Sequence, residues 1–175
     1  MKRGGVALAA AARALQTAPV VLVGGLDCLS AGGVLEQLAR ANMVLGDSNP
    51  DGRLGGEGAA FLLLARSDAV RAGPALGVLH ARDPRPFAGE LANAGEGLTA
   101  VFSQLRQSWL TRVDQVVMAQ SHERFWGGEL SMAYLRNVEP MPEPMVKREL
   151  ARDLGDCGAA ALFMGIVWSL IDFDP

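Results

Sequence analysis

Two segments far apart in the chain consist almost wholly of small residues, and they restrict its possible folds more than any other feature. One is Gly4-Gly5-Val6-Ala7-Leu8-Ala9-Ala10-Ala11-Ala12. The other is Gly155-Asp156-Cys157-Gly158-Ala159-Ala160-Ala161-Leu162-Phe163-Met164-Gly165. Each reads as a helix with small residues on nearly every face. A helix with no polar side has to be buried against close neighbours. Two of them in one short chain point either to an internally duplicated layered fold with paired central helices or to two unrelated core helices.

The rest of the chain alternates strand and helix signals. Residues 4–17 read as a helix that Pro19 ends. Val20-Val21-Leu22-Val23 reads as a fully buried strand ending at Gly24-Gly25, and residues 34–44 as an amphipathic helix. Residues 46–58 form a turn-rich loop around Asn49-Pro50-Asp51-Gly52. Residues 59–65 and 75–81 read as further strands. A Gly- and Pro-containing connection at 83–96 leads to an amphipathic helix at 98–110 and a strand at 113–119. Residues 125–135 suggest a helix, 140–144 an extended stretch, and 158–170 the second small-residue helix. Strands that are apolar on both faces, alternating with helices, predict an α/β fold whose sheet is covered on both sides.

The chain has 175 residues, enough for one domain with a core, and half of them are hydrophobic, which argues against disorder. A net charge of −3 offers no electrostatic attraction for nucleic acid or an anionic membrane. No apolar run reaches the roughly 18–20 residues needed to span a bilayer. Lys2-Arg3 before the Ala-rich run is a poor signal peptide, because Arg13 interrupts the run and a strand follows. Two cysteines, Cys28 and Cys157, are too few for a disulfide framework and fit a reducing cytoplasm. Cys28 reads as a small buried core residue.

The stretch Asp51-Gly52-Arg53-Leu54-Gly55-Gly56-Glu57-Gly58-Ala59-Ala60, with Phe61-Leu62-Leu63-Leu64 after it, resembles the D-G-F-x-x-G-E-G-A-x-x-x-x-L loop and strand of β-ketoacyl synthases. V-V-L-V-G-G-L-D at 20–27 resembles the strand before that loop. L-G-D-C-G-A-A-A at 154–161 resembles the family's late L-G-H-x-x-G-A-A-G motif. Order and spacing agree, and the three together cover most of the chain. The resemblance is to divergent 3-oxoacyl-carrier-protein synthases, some relatives of which lie beside type VI secretion genes. It implies α/β architecture as a partial thiolase-like layered fold, with mixed sheets packed around buried small-residue helices. Residues 1–175 would form a single incomplete domain, 1–82 ending its first half and 83–175 forming part of its second. Asp51, Gly52, Gly56, Glu57 and Gly58 would form the family's structural loop.

The same resemblance implies the chemistry to look for. These enzymes load an acyl group on a cysteine thiolate at a helix N-terminus, then stabilise an enolate with two histidines or a His and an Asn. The nucleophile belongs just before the first small-residue helix, where this sequence has Met1-Lys2-Arg3 and no cysteine. The first histidine is matched by His122 in Gln120-Ser121-His122-Glu123-Arg124, or Ser121 occupies the Asn position of divergent relatives; alternatively His122 is an ordinary loop residue. The second histidine is replaced by Asp156, which cannot donate a hydrogen bond at neutral pH with an ordinary carboxyl pKa and is expected to cap the following helix. Cys157, beside that helix start, is a candidate for a lowered thiol pKa or an inert buried cysteine. Arg53 stands where the family's gating Phe would be.

Ser121, His122, Asp156 and Cys157 are thus the candidate catalytic positions, and no cofactor is implied. Asp47, Asp51 and Glu57 lack the spacing of a calcium loop, which argues against a metal site. Trp109, Trp126 and Trp168 form no stripe and read as core or interface anchors. An incomplete fold leaves apolar surface that needs cover, by further copies of the chain or by a separately encoded partner. Two functions follow as expectations. One is an inactive, accessory or chaperone-like protein that binds another protein, such as an acyl carrier protein or a secreted effector. The alternative is a condensing enzyme completed by a partner chain that carries the cysteine.

Overall fold

The computed structural model describes residues 2–70, 75–80, 95–108, 112–119 and 124–171. These form a mixed α/β structure. The N-terminal part runs α1 (Lys2–Ala14), β1 (Val20–Cys28), α2 (Gly32–Arg40) and β2 (Glu57–Ala65). The rest comprises α3 (Glu96–Ser108), β3 (Val116–Met118), α4 (Arg124–Arg136), β4 (Lys147–Glu149), α5 (Leu150–Leu154) and α6 (Ala161–Ile171). A short 3-10 turn, Gly158–Ala160, leads into α6.

Strands β1 and β2 pair antiparallel in full register, from Val20 opposite Ala65 to Cys28 opposite Glu57. Directly opposed residues share a face in such a pair. Val21, Val23, Leu62 and Leu64 therefore face one way, toward α1 and α6, while Val20, Leu22, Phe61 and Leu63 face the other. Helix α1 packs under β1 and α6 under β2. The two helices also touch each other: a Cβ on Gly4 would lie 3.2 Å from Leu162 Cβ. The two small-residue helices thus touch, but α1 is only partly buried and leaves Val6 in solvent, so it is not the fully buried helix expected.

The expectation of a sheet covered on both sides is overturned. Among the described residues nothing covers the second face, where Leu22 is 66% and Leu63 73% exposed. The strand at 20–23 is accordingly half-buried rather than fully buried. It also continues through Gly24-Gly25 to Cys28, because the Gly-Gly pair serves close approach rather than a turn. A Cβ on Gly25 would lie 2.5 Å from Ala159 O, where the turn before α6 crosses the strand.

Other boundaries differ for local reasons. Helix α2 ends at Arg40, and Asn42 adopts a positive φ of 51° just beyond it. Residues 75–80 carry the apolar composition of a strand but pair with no described strand. The 140–144 stretch forms turns rather than an extended run. Strand β4 lies parallel to β3, Val116 opposite Lys147. A second core gathers Phe102, Leu130, Ala133 and Met141 around Met118. Buried Asn137 is satisfied there by Ser103 Oγ at 3.0 Å and by its own bond to Ala133 O at 3.1 Å. Buried Glu129 of α4 accepts the Gly95 N–H at the start of α3, tying the two helices. No described helix is long and apolar enough to cross a membrane.

Candidate functional site

The two sequence segments that carry the family resemblance meet in space as two crossing glycine turns. Residues 54–56 run alongside 154–156 in a backbone exchange. Asp156 N donates to Leu54 O at 2.7 Å, and Gly56 N donates to Asp156 O at 3.0 Å. The crossing is so tight that a Cβ on Gly56 would lie 2.9 Å from Gly155 C. Gly155 reciprocates: it has φ +77°, and a Cβ there would lie 2.9 Å from Gly56 Cα. Only glycine suits these positions, since backbone cannot move aside as a flexible side chain can.

Beyond the crossing, the chain turns at Gly158, with φ +52°, and enters α6. Two carboxylates receive the free N–H groups of that turn. Asp156 Oδ1 accepts from Gly158 N and Asp27 Oδ2 from Ala159 N, each at 2.9 Å. Asp156 thus plays the capping part the sequence suggested. Asp27, at the end of β1, was not singled out; its place one residue before the strand terminus and on the inward face was the available signal. The second oxygen of Asp156 faces Arg53 Nη1 at 3.7 Å. Arg53 and Asp156 therefore form an ion pair, one-third exposed on the Arg53 side.

Cys157 lies beneath this turn and is 3% exposed. Its thiol has three carbonyl oxygens as acceptors, Glu57 O at 3.5 Å, Gly155 O at 3.6 Å and Leu154 O at 3.8 Å. Burial pushes the thiol pKa up, and the negative charges of Asp156, Asp27 and Glu57 push it further. The lowered pKa considered from the sequence is overturned. The helix start does supply N–H groups, but two carboxylates already occupy them.

Cys28 contradicts its reading as a core residue, because it is exposed at the end of β1. Its thiol donates to Glu57 Oε2 at 3.2 Å, and Ser30 Oγ donates to the same oxygen at 2.9 Å. These two bonds, the Cys28 bond first, hold the Glu57 carboxyl below its ordinary range.

The remaining loop residues have structural partners. Gly52 is buried against the backbone of Val44. A Cβ on Gly58 would lie 2.8 Å from Met164 Cε. Asp51 Oδ1 accepts the Arg124 N–H at 2.7 Å, joining the loop to the first residue of α4. Asp51 and Glu57 therefore serve different partners. Among the described residues no three His, Cys, Asp or Glu side chains group as metal ligands. Ser121 and His122 lie outside the described residues, so the site is built from Asp27, Arg53, Glu57, Asp156 and Cys157. Chemically it is a neutral buried thiol ringed by carboxylates, without a described basic group positioned to take its proton.

A separate apolar pocket of about 450 Å³ lies between β2 and α6, lined by Ala59, Ala60, Leu154, Met164, Val167, Trp168 and Ile171. No family model, curated protein or solved structure matches this chain.

Proposed function

We propose that this chain is a thiolase-like, 3-oxoacyl-carrier-protein-synthase-like protein that carries out no condensation and acts by binding another protein. The observation that carries the reading is the state of position 156. A condensing enzyme of this type uses a neutral histidine there. Here a carboxylate is engaged by Gly158 N and Arg53, and it raises rather than lowers the neighbouring thiol. A protonated, buried thiol is a poor nucleophile. The uncovered apolar face of β1–β2 supports the binding role, since contiguous apolar surface of this kind marks interaction sites. An accessory or chaperone-like part beside a secretion or biosynthetic system fits both features.

Intact-mass analysis after incubation with acyl-CoA tests the reading. The expected result is the unmodified mass. A stable thioester on Cys157 or Cys28 would overturn it. A photo-crosslinking residue in place of Leu63, used in the native host, tests the binding role. One protein adduct absent from an Asp68 control is expected, and no adduct at Leu63 would remove that role. The retained Gly56-Glu57-Gly58 turn supports a second reading, a condensing enzyme completed by a cysteine-bearing partner. Thioester formation only in the presence of that partner would favour it.

A further inference from the structure

The sheet offers an edge as well as a face. Among the described residues β2 pairs only with β1, so its other edge presents unpaired backbone groups. The apolar pocket of about 450 Å³ is lined by residues of β2 and α6, with Leu154, and by no described residue of β1. Its floor is Ala59 and Ala60, and its wall is Met164, Val167, Trp168 and Ile171 of α6. No charged side chain of the described residues lines it. An edge strand beside an apolar wall suits an extended segment that adds main-chain hydrogen bonds and sets alternate apolar side chains into the groove.

The chain itself carries such a segment. Residues 75–80 (Ala-Leu-Gly-Val-Leu-His) have strand composition, lie outside any described sheet, and hold Leu76 and Val78 each 81% exposed. Leu76 and Val78 are two residues apart, the spacing that puts side chains on one face of a strand. The segment lies next to the groove rather than in it. A Cβ on Gly77 would be 3.1 Å from Leu170 Cδ2, and Leu170 adjoins Ile171 in the wall. Segment and groove thus both border the last turn of α6. A two-fold axis relating two copies there would let each segment reach the other copy's groove, so that one contact closes the pair.

We propose that residues 75–80 of one copy add as a strand to the free edge of β2 in a second copy, with Leu76 and Val78 in the groove between β2 and α6. This inference is independent of catalysis and of what covers the outer face of β1–β2.

Light scattering coupled to gel filtration, at increasing concentration, tests it with three forms of the full chain. Wild type is expected to approach twice the 18.4 kDa chain mass. The L76D/V78D variant alters the donor and Ile171→Asp the acceptor wall. Both are expected to stay at 18.4 kDa over the same range, with dimerisation weakened at least about tenfold. Leu76, Val78 and Ile171 are all largely exposed, so the variants fold, which circular dichroism checks. A wild type that remains monomeric at the highest concentration would overturn the proposal. So would a dimer that survives both variants. Neither result bears on the acyl-CoA and Leu63 experiments.

Discussion

Arg53 Nη1 stands 3.7 Å from Asp156 Oδ2, an ion pair that joins the 51–58 loop to the turn before α6. Each charge offsets the other. Without a cation beside it, Asp156 would add to the negative charge of Asp27 and Glu57 around the turn. The pair is partly exposed, so solvent screening keeps its net worth small. A double-mutant cycle with Arg53→Met and Asp156→Asn, read by urea unfolding, should give a coupling of about 0.5–1 kcal/mol. Asp156→His alone should destabilise, because it leaves Arg53 against a group that cannot carry negative charge. A coupling of zero would mean that the two side chains merely share a neighbourhood.

The crossing of the turns predicts sharply unequal glycine substitutions. A Cβ on Gly56 meets backbone at 2.9 Å, so Gly56→Ala has to part the two segments and should cost on the order of 3 kcal/mol. Gly158→Ala combines a left-handed backbone with a contact at 2.8 Å to Asp27 Cγ, and should cost about 2–3 kcal/mol. Gly127, inside α4, has nothing within 4 Å of its Cβ position. Gly127→Ala should stabilise by roughly 0.5–1 kcal/mol through helix propensity. Thermal melts of the three variants check the ranking.

The two cysteines should differ in reactivity. Cys28 is exposed and Cys157 buried, so iodoacetamide under native conditions should label Cys28 and spare Cys157 until the chain unfolds. The raised thiol of Cys157 also gives an alkaline signature. A group whose folded pKa is raised contributes stability that is complete below its ordinary value, 9.0, and is lost as pH climbs through the folded value. Wild type should therefore lose stability above pH 9 more steeply than Cys157→Ala. Equal slopes would show that the thiol does not titrate with folding.

Glu57 gives the opposite sign. Its folded pKa is lowered, with the Cys28 hydrogen bond as the first cause and that of Ser30 as the second. The stability it contributes is present above its ordinary value of 4.5 and disappears as pH falls through the lower folded value. Glu57→Gln should be less stable than wild type near neutral pH, and the two should converge in acid. Ser30→Ala should reproduce part of that difference. Urea midpoints followed from neutral pH into acid measure both effects.

Much of this arrangement was legible from residue types, and its failures have specific causes. The Val20–Val23 and Ala59–Ala65 runs, flanked by glycines, announced β1 and β2, and the small-residue runs announced α1 and α6. Burial on both faces was wrongly inferred, because an apolar strand has the same sequence whether its second face meets its own chain or stays open. Strand β4, Lys147-Arg148-Glu149, was not foreseen, because a three-residue strand of charged side chains has no periodic apolar signal. Its pairing with β3 is a tertiary fact. Gly24-Gly25 read as a strand end, whereas close approach of Ala159 requires the glycine within the strand. Cys28 was misread as core, and for Cys157 the alternative of an inert buried thiol is the one that holds. Thiol chemistry depends on which charges the fold brings near, and Asp27 is remote from Cys157 in the sequence.

That distance defines the last prediction. Asp27 and Asp156 both neutralise the N–H groups at the entry to α6, through Ala159 and Gly158, and both raise the Cys157 thiol. Asp27→Asn and Asp156→Asn keep the side-chain oxygen as an acceptor but remove the charge, so each should cost only about 1 kcal/mol in stability. Each should also lower the thiol pKa, read from the Cβ shift of carbon-13-labelled Cys157 in an NMR titration. Neither should return it to 9.0, because burial is the larger cause and neither variant opens the pocket around the sulfur. Asp156→Asn should act more strongly than Asp27→Asn, following the order of their contributions. If both variants left the titration unchanged, burial alone would set the thiol's state, and the carboxylates would be caps and nothing more.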